Sequence, residues 1–371
     1  MELVFTEEQE ELRRTLRDFC ADKAPSSEVR RLMEATEGYD PAVWSQMADQ
    51  LGLQSLAIPE QYGGAGFGFV ELAIVLEEMG AALLPSPYFA SAVLAATALL
   101  TCSDEAAKKD LLPGIAAGTT IGTLAFTEEN GRWDADGIGL AARRGDGGWV
   151  LDGTKMFVLD GHVADLVLVV ARTAAGLSLF AVEGGAAGLT RTPLPTLDQT
   201  RKLARLDFAG VPARLVGADG EGGAILAGTL DRAAVALAAE QLGGAQRVLD
   251  MSVEYAKVRY QFGRPIGSFQ AIKHKCADML VEVESARSAV YYAAWAVAED
   301  SSELPVVASL AKAYCSDAYF HAAAENIQIH GGIGFTWEHD AHLYFKRAKS
   351  SQLFLGDSSY HREQLAQRVG I

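Results

Sequence analysis

The sequence predicts a mostly α-helical protein with one small β domain set into its middle. Three observations carry that prediction. Apolar residues recur at helical spacing through the first third. From Thr119 to about Gly217, short β-rich runs alternate with glycine and aspartate. After Gly222-Gly223, three long alanine-rich periodic stretches follow. The implied domains are residues 1–118 (helical), 119–222 (a small antiparallel β-barrel or sandwich) and 223–371 (a four-helix bundle). At 371 residues the chain exceeds one ordinary core, so two or three domains are expected.

Each element has its own signal. Thr6 precedes Glu7, Glu8 and Gln9, an N-cap followed by acids that favour the helix dipole and a capping-box glutamine. Pro41 opens a helix with Trp44, Met47 and Leu51 on one face, and Gly52 ends it. Tyr62 to Gly68 is a glycine-rich turn between helices, since no β-run precedes it. Helical patterns follow at 70–80, 88–100 and 105–117. Strands are expected around Trp149–Leu151, Leu166–Val170, Leu177–Val182 and Ala204–Phe208, with turns at Asp146-Gly147 and Asp152-Gly153. Long helices are expected over 226–258, 269–299 and 305–328.

Composition excludes several roles. A formal net charge of −16 repels phosphate backbones and anionic lipid, so neither nucleic acid nor a membrane is an expected partner. An anionic substrate must instead find a local basic pocket. The apolar stretch 224–245 is broken by Asp231, Arg232 and Glu240, which marks a buried helix rather than a membrane span. Cys20, Cys102, Cys276 and Cys315 form no paired motif, and the start of the chain is acidic, so a soluble cytoplasmic protein is expected. His339 and His342 lack the carboxylate pattern of a metal site, so no metal is expected.

The order α, β, long helices, with Arg259-Tyr-Gln-Phe-Gly-Arg-Pro-Ile-Gly-Ser-Phe-Gln270 and Gln328-Ile-His-Gly-Gly-Ile-Gly-Phe335, resembles the acyl-CoA dehydrogenase family. Ile58 to Gly64 and Thr127-Glu128 add to the resemblance. It implies an FAD enzyme that turns an acyl-CoA thioester into its trans-2-enoyl-CoA. A carboxylate takes the α-proton and a hydride leaves the β-carbon. It also implies that Arg259, Gln261, Phe262, Gln270, Gln328, Gly331 and Gly332 hold the pyrophosphate and adenosine of a neighbouring subunit's FAD. The resemblance further implies that Thr127 and Phe157 face the flavin of the chain's own site. Electron-transferring flavoprotein is the expected acceptor.

Against that pattern the chain departs at its own half of the site. Arg132-Trp133 replaces small residues after Thr127-Glu128, and Leu159 replaces a threonine expected near the flavin. The usual C-terminal base position is Leu355, and the alternative on the helix before Arg259 is Ala233. Catalytic residues are therefore absent from both places. The chain resembles the base-lacking subunit of heteromeric α2β2 actinobacterial acyl-CoA dehydrogenases of steroid and cholesterol degradation, paired with a base-bearing paralogue. Two other readings stay open: a homotetramer using Asp231, Glu240 or Asp357 as a displaced base, or a non-enzymatic flavin or acyl-CoA binding homologue. As ordinary structure, Asp231-Arg232 reads as a helix-start pair, Glu240 as an interhelical contact and Asp357 as a cap.

Overall fold

A computed structural model describes residues 5–145 and 148–371. The first helices are α1 (Glu7–Lys23), α2 (Ser26–Glu34), α3 (Pro41–Asp49) and α4 (Phe69–Ala82). A π-helical turn, Phe89–Ala95, then leads into α5 (Ala96–Thr101), and α6 (Glu105–Ala116) follows. The Thr6 capping box forms as expected, with Gln9 N donating to Thr6 Oγ1 at 3.2 Å and Thr6 N to Gln9 Oε1 at 3.0 Å. Asp40 caps α3, where Pro41 fits the first turn because its missing N–H is an orphan there anyway.

Seven strands follow: β1 (Gly122–Ala125), β2 (Ala141–Gly145), β3 (Gly148–Leu159), β4 (Leu166–Thr173), β5 (Gly176–Glu183), β6 (Leu189–Leu194) and β7 (Leu203–Val216). The hydrogen-bonded path β4-β2-β3-β7-β5 returns to β4, so the sheet closes on itself as a barrel. Its interior is filled by Leu151, Val158, Val167, Val169, Phe180, Leu206 and Val211. Most pairs are antiparallel, but β1, and β2 through the single pair Ala141–Arg172, run parallel to β4, outside the expected antiparallel pattern. The expected turn at Asp146-Gly147 lies outside the described residues. Asp152-Gly153 is not a turn: it sits within β3 at a register shift, where Gly153 takes φ +137°. The aspartate-glycine signal here marks a bulge, because glycine relieves both a hairpin and a kinked strand.

The chain returns to helix in α7 (Gly222–Val258), α8 (Gln270–Ala298), α9 (Leu304–His330), α10 (Ala341–Leu353) and α11 (Ser358–Val369). A hairpin of β8 (Tyr260–Gln261) and β9 (Arg264–Pro265) separates α7 from α8. By length and hydropathy α7 could cross a membrane, yet 61% of its most apolar window is buried in the fold, the mark of a core helix.

Two compact units interleave along the sequence. One comprises the chain up to Arg30, Phe69–Leu84 and Ala234–Ile371; the other comprises Arg31–Gly68 and Pro85–Ala233. In the first, α4 crosses α7 through two glycines, Gly80 against the Glu240 backbone and Gly243 against the Glu77 backbone. Beside that crossing lies a buried charge knot. Arg13 reaches Glu77 at 2.8 Å, Arg287 reaches it at 2.5 Å, and the Tyr291 hydroxyl donates to it. Burial by itself would raise the Glu77 carboxyl, but the two guanidiniums outweigh it and hold the group below its ordinary range.

Candidate active site

In the unit that contains the barrel, Thr127 follows β1 and is pinned through its backbone, its carbonyl accepting from Met156 N at 2.8 Å. Lys155 is fully buried and donates to Glu128 Oε1 at 2.8 Å and to the Phe126 carbonyl at 3.1 Å. Glu128 in turn accepts from Gly139 N at 3.0 Å and Leu140 N at 2.8 Å. Burial pushes Lys155 down to about 8 against the pull of Glu128. For Glu128, burial is again opposed, and Lys155 with the two amides holds the carboxyl low. This pair went unassigned in the sequence, where its two members stand 27 residues apart.

A second bulge presents Phe157. Between Lys155 and Val158 the β3–β7 register slips, so Met156 and Phe157 both oppose Arg205. Phe157 takes φ +56° and is 37% exposed. Leu159 is buried, and its carbonyl accepts from Thr123 Oγ1 at 2.5 Å. Arg132 turns back on its own loop, with its guanidinium 3.0 Å from Asp134 and 3.4 Å from Asp136. Trp133 leans on Phe126, ring centroids 5.9 Å apart.

The other unit carries the Arg259 and Gln328 segments. Between β8 and β9, Phe262 (φ +53°) and Gly263 (φ +78°) form a two-residue turn with both residues left-handed, the type I′ geometry that suits hairpin twist. A phenylalanine there is strained by about 1–2 kcal/mol, and its ring is 91% exposed. The Arg259 side chain has no hydrogen-bond or ion-pair partner among the described residues. Gly331 (φ +65°) ends α9, and a side chain added at Gly331 or Gly332 would meet no atom within 4 Å. Gln261, Gln270 and Gln328 are also exposed. Tyr255 stacks on His330 at 4.2 Å, tying the end of α7 to the end of α9. On a chain of net charge −16, residues 255–277 contain no acid but do contain Lys257, Arg259, Arg264, Lys273 and Lys275. Counting charges along the sequence finds this local basic stretch.

The two positions where the sequence leads us to expect a base are apolar and buried. Ala233 is 0% exposed and Leu355 is 3% exposed. Leu355 takes φ +62°, and its carbonyl accepts from His361 Nε2 at 3.0 Å. Lys312, fully buried, donates to the Gly356 carbonyl at 3.0 Å and that of Gln352 at 3.2 Å, so the α10–α11 loop is fixed without a carboxylate at 355. Of the displaced candidates, Glu240 is buried against Arg347 at 3.0 Å. Asp357 caps α11, accepting from Tyr360 N at 2.8 Å. Asp231 is half-buried nine residues into α7, so with Arg232 it is not a helix-start pair.

Acyl-CoA dehydrogenase family models match the chain over its N-terminal domain (6–119), middle domain (123–211) and C-terminal domain (220–370). The chain belongs to the acyl-CoA dehydrogenase family. It is 39% identical over 360 residues to acyl-CoA dehydrogenase IpdE2 of Mycolicibacterium smegmatis, covering 97% of each chain. Among solved structures it resembles the ChsE4-ChsE5 complex from Mycobacterium tuberculosis, with TM-score 0.91 and 31% identity over 100% of this chain and 99% of that one. It also resembles the Tcur3481-Tcur3483 steroid ACAD, with TM-score 0.88, 33% identity and 98% of each chain covered. The family is one of FAD flavoproteins that oxidise acyl-CoA thioesters. The donor set around Arg259 fits such a cofactor: an unpaired guanidinium, open glycine backbone and an acid-free basic stretch suit a pyrophosphate.

Proposed function

We propose that this chain is the base-lacking subunit of a heteromeric acyl-CoA dehydrogenase that acts on steroid-derived CoA thioesters. One observation carries the proposal. The Arg259 guanidinium is exposed and has no partner among the described residues, near open glycine backbone at Gly331 and Gly332, while Leu355 and Ala233, at the positions expected for a base, are apolar and buried. The chemistry supplied by bound FAD is acceptance of the hydride leaving the substrate β-carbon. Arg259 would fork onto pyrophosphate oxygens, a charge-assisted contact worth about 1.5–3 kcal/mol. Gly331 and Gly332 let the backbone approach closely, and Phe262 offers a flat apolar surface. Gln261, Gln270 and Gln328 supply amides for the adenosine end. Thr127 and Phe157 are what this chain keeps toward a flavin of its own. Neither Leu355 nor Ala233 can accept a proton, so the α-proton goes to a carboxylate of a paralogous partner.

The assembly is α2β2 with two working FAD sites, cytoplasmic, and delivers electrons to an electron-transferring flavoprotein. The two-chain ChsE4-ChsE5 complex and the steroid ACAD among its structural relatives support this reading. The test is to isolate the complex through a tag on this chain and count released FAD by absorbance. About one FAD per two chains is expected, and one FAD per chain in a homomer overturns the proposal.

A further inference from the structure

We propose that the loop from Glu128 to Leu140 is a stopper over this chain's own flavin position, with the Trp133 indole filling the slot beside Phe126 and Thr127. This rests on the half-site reading above and adds the physical reason the second site stays empty of cofactor.

Three features carry it. The first is where the indole lies. Trp133 sits on a surface loop but is half-buried, with its ring 5.9 Å from that of Phe126 and tilted by 55°. Phe126 directly precedes Thr127, which is itself 3% exposed. A planar, bicyclic, apolar group therefore leans on Phe126, one residue from the Thr127 that the family resemblance turns toward the flavin.

The second is that the loop is closed by bonds to itself. Arg132 pairs with Asp134 and Asp136, and Asn130 Nδ2 donates to the Gly137 carbonyl at 2.6 Å. Asp134 accepts from Asp136 N at 3.1 Å and from Gly137 N at 3.2 Å. No room remains inside: a side chain at Gly137 would lie 2.6 Å from Arg132 Cβ and 3.1 Å from Asn130 Oδ1. At the foot, Glu128 clamps Gly139 N and Leu140 N and is held by buried Lys155. An arriving ring must displace a folded unit, not a mobile segment.

The third is that displacement gains nothing. Leu159 offers no hydroxyl where a flavin edge needs a hydrogen bond. The site is thus both filled and chemically silent, and two changes are needed to reopen it.

The experiment compares four versions of the tagged complex, isolated with its native partner. FAD per chain is counted by absorbance after denaturation, and assembly is checked by size exclusion. The wild type and Leu159→Thr are expected at about half a FAD per chain. Trp133→Ala/Leu159→Thr is expected to rise toward one. Arg132→Ala/Leu159→Thr removes only a half-exposed guanidinium, so folding is not at risk, and it is expected in between. If Leu159→Thr alone reaches one, Trp133 is no stopper. If the assembled Trp133 double variant stays at half, the proposal is wrong while the half-site reading survives. If the Trp133 double variant does not assemble, the Arg132 double variant decides: a rise supports the stopper and no rise overturns it. One FAD per chain in the wild type overturns both.

Discussion

Gly243→Ala should destabilise the helical unit by far more than its one added carbon suggests. A Cβ built on Gly243 would sit inside the Glu77 carbonyl, 2.7 Å from its carbon and 3.0 Å from Ala81 N. The reciprocal Gly80 has the same problem, with its Cβ 2.8 Å from the Glu240 carbonyl carbon and 3.0 Å from Glu240 Cα. Ordinary contact begins at 3.4 Å, and the obstacles are backbone, which no rotamer change can move. The helices must therefore separate by roughly 1 Å, an overpacking cost of about 1–3 kcal/mol. The same face of α4 carries Glu77, whose carboxylate is buried between Arg13 and Arg287. Pulling it from either guanidinium strands a buried charge and adds to that cost, for a total of ~4 kcal/mol. The melting temperature should fall by roughly 10 °C. Gly223→Ala is the control. It lies in the same helix with nothing within 4 Å, so it should be neutral or slightly stabilising, by about 0.4–1 kcal/mol. Thermal unfolding of both variants in the assembled complex decides. A Gly243→Ala melting point within a degree of wild type would refute the packing argument.

Three further outcomes follow from the site. Arg259→Ala should weaken FAD retention by ~10- to 100-fold, the loss of one charge-assisted fork, with Arg259→Lys between it and wild type. Its stability should not change, because the side chain has no partner to lose among the described residues; fluorescence titration of the flavin-stripped complex reads the affinity. Asp231→Asn, Glu240→Gln and Asp357→Asn should each leave turnover within a few-fold, and a loss of ~10² or more from any of them in steady-state kinetics would make this chain catalytic. Only Glu240→Gln should also unfold more easily, by about 1.5–3 kcal/mol, since it removes the charge from one hydrogen bond to a buried guanidinium.

The pH outcome concerns His361. Burial, helped by the Lys312 cation, holds it down to about 4 from an ordinary 6.5. The unfolded chain then takes up a proton that the native chain refuses. The stabilisation, about 3 kcal/mol at most, is complete above the unfolded value and is lost as pH falls from roughly 6.5 toward 4. His361→Gln should flatten that part of a denaturant-midpoint profile, and an unchanged slope would show that His361 does not titrate as its surroundings require.

Local chemistry explains what was legible in the sequence. Helix signals act over three or four residues, so the Thr6 box, the Pro41 start and the long alanine-rich helices could be read directly. The resemblance rests on contiguous segments at Arg259 and Gln328, and the leucine and alanine at positions 355 and 233 are a matter of residue identity. The cap made by Asp357 was likewise readable from its neighbours.

Partners distant in the chain were decided only by the tertiary structure. β1 beside β4, the closure of the barrel and the interleaving of two units are choices among many strand pairings that alternation alone does not rank. Asp152-Gly153 looks the same in a turn and in a bulge until the opposing strand is known. The slip that turns Phe157 outward depends on the spacing of β7. The Glu128–Lys155 pair, and the knot of Arg13, Glu77, Arg287 and Tyr291, join charges from separate elements. Such groups are stable in the interior only because folding brings them together, and nothing local in the sequence announces that meeting.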